Sequence, residues 1–144
     1  MTALEIAISQ LGNHEEPKGS NSGPQVNEYL KSVGLKPGFP WCAAFVYWCA
    51  KWSNAETPLF KTGGVLNMWN KTDKKYRVTK PQAGDIFVMD FGKGLGHMGF
   101  VEKVSGSTMT TIEGNSDSSN GREGFEVARK TRKISSIKGF LRVP

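Results

Sequence analysis

Only two cysteines, Cys42 and Cys49, and two histidines, His14 and His97, occur in the 144-residue sequence. The cysteines stand seven residues apart on a stretch that reads as one helix, which separates their Cα atoms by about 10 Å. A disulfide needs less than about 7 Å, so none is expected. There is no CxxC pair, and neither histidine is near a cysteine in sequence, so zinc-site spacings are missing and no metal or cofactor is expected. The stretch from Ser116 to Val127 has the Asn120-Gly121 step of a calcium loop, but acids are absent from its first and last ligand positions. No apolar run approaches membrane-spanning length. Met1-Thr2-Ala3-Leu4-Glu5 has neither the basic region nor the apolar core of a secretory signal. The expectation is a soluble product of the cytoplasm, exported, if at all, by another agent. Repeats, low-complexity tracts and linkers are absent too, and the length suits a single domain, residues 1–144.

Positive charge is in excess, with a net charge of +6, and residues 126–144 hold six Lys/Arg against one acid. Such a face suits an anionic partner such as nucleic acid, a membrane surface or a wall polymer. It also describes a solvated edge strand protected by lysines.

Helices come first along the chain. Thr2 to Glu5 has capping-box spacing, with Leu4, Ala7, Ile8 and Leu11 on one face before Gly12. Pro24 suits the first turn of a second helix carrying Val26, Tyr29, Leu30 and Val33 as far as Gly34. After the stiff Lys36-Pro37-Gly38-Phe39-Pro40 connector, Trp41 to Trp52 predicts a helix that is apolar almost all round and therefore central and buried. Val65 to Trp69 adds a short helix. Beyond Pro81-Gln82-Ala83-Gly84 the period changes to that of strands: Asp85 to Phe91, His97 to Val104, Thr108 to Glu113, and two basic strands within Glu126 to Val143. Helices followed by antiparallel strands make an α+β layout.

Cys42 stands where a proline-stopped loop turns into a helix, and the unpaired N–H groups and positive dipole end there favour thiolate over thiol. A lone helical cysteine is also commonly a small core residue, which is how Cys49, two turns deeper, reads. His97 lies among Gly94, Gly96 and Gly99, residues that permit close approach of a backbone or substrate; a half-buried structural histidine fits the same place. If His97 to Val104 pairs with Thr108 to Asn115 through the three-residue loop Ser105-Gly106-Ser107, then His97 faces Asn115 and Gly99 faces Glu113. His97, Glu113 and Asn115 then share a sheet face, whereas a two-residue loop would put the acid and the histidine on opposite faces. Glu113 as a solvent-facing residue and Asn115 as a turn former are the plainer readings. Trp41 and Tyr47 fit either a groove wall or the core. His14, beside Glu15 and Glu16 in a polar loop, has no catalytic role.

These segments resemble the CHAP family, the cysteine- and histidine-dependent amidohydrolases/peptidases of the papain-like superfamily. The resemblance is carried by Pro40-Trp41-Cys42-Ala43-Ala44-Phe45, Gly19 to Pro24, Pro81 to Asp85, Gly96-His97-Met98-Gly99 and Glu113-Gly114-Asn115. The closing Gly139-Phe140-Leu141-Arg142 resembles the last strand of small phage-type members. The resemblance implies a papain-like α+β fold, with N-terminal helices packed on a C-terminal antiparallel sheet. It implies Cys42 as nucleophile, His97 as base, and Glu113 and Asn115 as the groups that orient the ring. The implied activity is cleavage of a peptidoglycan amide bond through a thioester, and both N-acetylmuramoyl-L-alanine amidases and peptide endopeptidases occur on this scaffold. Some relatives bind calcium through acids just before the cysteine, but Lys36 to Trp41 holds none, so metal-independent activity is expected. The implied setting is a phage or prophage endolysin, made in the host cytoplasm and acting in the periplasm or cell wall after release. A secreted antibacterial amidase effector and a non-catalytic wall-binding relative share these features. Bacterial peptidoglycan is the expected partner, without nucleic acid or stable membrane insertion, and the expected state is a monomer.

Overall fold

Thr2 opens the first helix, α1 (Ala3–Ser9), as its spacing predicts: its hydroxyl accepts the Glu5 N–H at 3.1 Å and the Glu5 carboxylate accepts the Thr2 N–H at 2.8 Å. Pro24 begins α2 (Pro24–Ser32), which buries Val26, Tyr29 and Leu30. The apolar run after Pro40 forms α3 (Cys42–Ser53), and α4 spans Val65–Lys71. The computed structural model describes residues 1–116 and 124–144. Most of the calcium-loop-like stretch from Ser116 to Val127 lies outside the described residues.

The strands are β1 (Arg77–Val78), β2 (Ile86–Gly92), β3 (Leu95–Ser105), β4 (Thr108–Ser116), β5 (Glu126–Lys133) and β6 (Gly139–Leu141). They form one antiparallel sheet in the order β1-β6-β2-β3-β4-β5. The architecture is α+β, helices on a six-stranded sheet, as the sequence predicts; the two-residue β1 carried no periodic signal.

Strand alternation gives the sheet two apolar faces. Ile86, Val88, Met98, Phe100, Ile112, Val127 and Leu141 pack with the helices, and Phe45 of α3 meets Phe100 edge-on at 6.5 Å. Burying a side chain of this size contributes about 1.5–3 kcal/mol. Phe87, Met89, Val101, Met109 and Phe140 form a smaller cluster on the opposite face. Helix α3 is buried from Cys42 to Ala50 apart from a partly covered Trp48, but Trp52 is 69% exposed. This departs from the burial predicted for the whole helix. Trp52 has Trp48 as a ring partner at 6.0 Å, and its remaining surface meets solvent.

The β3–β4 hairpin reaches the predicted face by a different route. Its loop is the two-residue Gly106-Ser107, with Gly106 at φ 60 in the first turn position. On its own this would send Glu113 to the wrong face. One extra residue in β3, Glu102, lies between the pairs Val101↔Thr111 and Lys103↔Thr110. That bulge shifts the parity back, so His97 and Glu113 share the face that carries Phe87, Met89 and Met109.

Candidate active site

Cys42 is the first residue of α3, a helix with no side-chain cap, so the positive end of the helix dipole lies beside its sulfur. The residue before it is held from two directions. The Trp41 backbone N–H donates to Asn115 Oδ1 at 2.7 Å, and its indole Nε1 donates to Glu15 Oε2 at 2.8 Å. Trp41 and Tyr47 are both core residues.

His97 comes from the β2–β3 ladder, where it pairs with Met89. Its ring is fully buried, and Nε2 lies 2.8 Å from Glu113 Oε1. Nδ1 is buried without a hydrogen-bond partner among the described residues and is the ring nitrogen left for the sulfur of Cys42, whose proximity acts on the ring's pKa. Burial alone would lower the imidazole pKa, but the neighbouring Cys42 sulfur and the hydrogen-bonded Glu113 carboxylate outweigh it and raise it to about 9.

Glu113 is tied on both carboxylate oxygens. Arg132 of β5 donates Nη2–H to Oε1 at 2.7 Å and Nε–H to Oε2, and the Thr111 hydroxyl donates to Oε2. Burial would raise this acid's pKa, but the Arg132 bonds, followed by those of His97, bring it down to about 2. Gly99 makes the packing possible, because a Cβ there would come within 2.8 Å of Phe87 Cε2 and 2.9 Å of Glu113 Cγ.

Asn115 takes a different place from the one predicted. It lies in an irregularity of the β4–β5 ladder between Glu113 and Ser116 and has φ 57, a left-handed conformation that Asn tolerates. The bulge breaks the alternation that would have set it opposite His97. Its amide oxygen accepts from Trp41 N–H and its Nδ2 donates to the Gly124 carbonyl at 2.7 Å. Asn115 thus holds the cysteine loop, while Glu113 holds the ring.

The Cys42 side lines an open groove of about 330 Å³. Leu35, Phe39 and Pro40 reach it from the loop before α3, Thr62 to Gly64 from the segment before α4 and Val65 from its first turn, and Gly94 and Gly96 from around the start of β3. Among the described residues, no charged side chain lines it. Cys42 is buried but reaches this groove, whereas Cys49 is sealed in the core, and burial pushes its thiol pKa well up. The His14 side chain makes an exposed contact with Glu16 at 3.9 Å. Among the described residues, no three His, Cys, Asp or Glu side chains are grouped so as to hold a metal ion.

Sequence reasoning missed Glu15, Thr111 and Arg132. Alternation in β5 puts Ala128, Lys130 and Arg132 on the face of Glu113, but that face follows only from the pair Glu113↔Ala128, which the sequence does not reveal.

Residues 34–115 match the CHAP domain family, a span that includes Cys42, His97, Glu113 and Asn115 and stops before β5. No curated protein matches the sequence. A crystal structure of Ly7917 resembles this chain with a TM-score of 0.63 at 19% identity, covering 100% of this chain and 63% of that one. A second, of Ly7917 with the hydrolyzing product of MDP, gives 0.61 at 18% identity, covering 99% and 61%. At these identities the likeness is one of fold, and the chain spans less than two thirds of the length of those chains.

Proposed function

The chain belongs to the CHAP domain family, and on that premise we propose that it is a peptidoglycan hydrolase that cuts an amide bond, as amidase or endopeptidase, with Cys42 as nucleophile and His97 as acid and base. The observation that carries this reading is a buried imidazole with Nε2 on a carboxylate, 2.8 Å from Glu113 Oε1, beside a groove-lining thiol at a helix start, close enough to act on the ring's pKa. A cysteine next to His⁺ at a helix start is the arrangement in which sulfur is ionised and nucleophilic.

The Cys42 thiolate attacks the amide carbonyl, and the backbone N–H of Cys42 at the helix start donates to the oxyanion that forms. His97, charged at neutral pH, gives its proton to the leaving amine, and a thioester remains on Cys42. The neutral ring then takes a proton from water, the resulting hydroxide attacks the thioester, and thiolate and imidazolium are restored. Glu113 keeps the ring oriented and its charged form favoured throughout.

The substrate class is supported by family membership and by the Ly7917 structure, which holds a hydrolysis product of MDP, a peptidoglycan fragment. The net charge of +6 suits an anionic wall. The phage-type closing strand supports an endolysin that acts on the wall after release from the cytoplasm.

The test is mass spectrometry of fragments released from purified sacculi. New amine and carboxyl ends at the lactyl–L-alanine bond, or within the stem peptide or cross-bridge, support the reading and identify the bond. Release of fragments with only new reducing sugar ends, or no release at all, overturns it.

A further inference from the structure

We propose that Arg132 is a positioning residue for this reaction, holding the Glu113 carboxylate in the plane and charge state that His97 needs. The inference rests on the reading of Cys42 and His97 given above. It concerns a residue outside the span matched by the family.

Arg132 touches neither sulfur nor groove. Its guanidinium forms a fork on Glu113, with Nε–H on Oε2 and Nη2–H on Oε1, and such a fork sets the plane of a carboxylate where a single contact leaves it free to turn. Oε1, the oxygen that meets His97 Nε2, is therefore aimed by Arg132. The Thr111 hydroxyl on Oε2 supports the same orientation.

Charge gives the second argument. His97 and Glu113 are fully buried, the Arg132 side chain is 7% exposed, and the guanidinium lies 5.7 Å from the centre of the Phe87 ring. A thiolate, an imidazolium and a carboxylate together carry one net negative charge in this apolar setting, and burying an uncompensated charge is costly. Arg132 offsets that charge at the carboxylate itself, and Lys130, on the same face of β5, adds a second positive charge nearby. Without it, burial favours protonation of Glu113, and a neutral acid no longer stabilises the charged ring. The groups around Glu113 are His97 from β3, Arg132 and Lys130 from β5, and Cys42 of α3 through the ring.

Arg132→Lys keeps the charge and loses the fork, and Arg132→Met loses both. The readouts are the pH dependence of Cys42 alkylation by iodoacetamide, which needs no wall substrate, and kcat and KM on solubilised muropeptides. Arg132→Lys is expected to lower kcat about tenfold at pH 6 with KM unchanged and to move the acid limb of alkylation up by about one unit. Arg132→Met is expected to move it further. Arg129→Gln, which breaks a surface pair with Glu102, should match wild type. A folded Arg132→Lys whose kcat and acid limb coincide with wild type overturns the assignment, even if Arg132→Met does not fold. If wild-type Cys42 reacts no faster than a free thiol at pH 6, the nucleophile assignment itself falls, and Arg132 has nothing to position.

Discussion

His97 Nε2 and Glu113 Oε1 lie 2.8 Å apart with both side chains closed off from solvent. In such a setting a hydrogen-bonded ion pair is strongly coupled to its surroundings, because water does not screen it. Changes at one member should therefore be felt at the others, in stability as well as in turnover.

Glu113→Gln keeps the size of the side chain and removes its charge. The Arg132 guanidinium would then stay buried without an anion, which costs about 3–5 kcal/mol. Urea unfolding should show that loss, and turnover per folded molecule should fall at least about a hundredfold as the ring loses its anchor. Wild-type stability and activity in this variant would mean that the carboxylate does not organise the cluster.

Two pKa shifts give two stability windows. His97 is raised from 6.5 to about 9, so its stabilising contribution is complete below pH 6.5 and lost as pH rises through about 9. Glu113 is lowered from 4.5 to about 2, so its contribution is complete above pH 4.5 and lost as pH falls through about 2. Thermal unfolding across pH should decline in both windows, and His97→Ala should remove the alkaline decline. A midpoint that rises between pH 6.5 and 9 in the wild type would contradict the raised histidine.

Asn115→Ala removes the partners of the Trp41 N–H and the Gly124 carbonyl and places a poorer residue at φ 57. Stability should fall by about 1–3 kcal/mol, and turnover should fall with it as the cysteine loop loosens. The pH–rate limbs should stay in place, because Asn115 does not touch the ring. A shifted limb would return Asn115 to the role of ring orienter.

The helix start at Cys42 was legible because Pro40 and the apolar run mark it locally. The shared face of His97 and Glu113 was also legible, although the assumed loop was one residue too long. Gly106-Ser107 reverses the parity and the Glu102 bulge restores it, two local irregularities that cancel. Asn115 was misplaced because alternation carries no information across a bulge. Arg132 was hidden among basic residues that read as a surface, since its burial depends on β4–β5 register and on the reach of a long side chain along the strand. Glu15 was hidden because its partner, Trp41, is a tertiary contact with no sequence period.

Cys42→Ala tests the central claim most directly, with wild type and variant compared on the same suspension of purified peptidoglycan. A small side chain replaces a small one at the helix start, so the unfolding midpoint should change little. The account predicts that wild type clears the suspension and that the variant, equally folded, leaves it turbid. Clearing by the variant at the wild-type rate would contradict it.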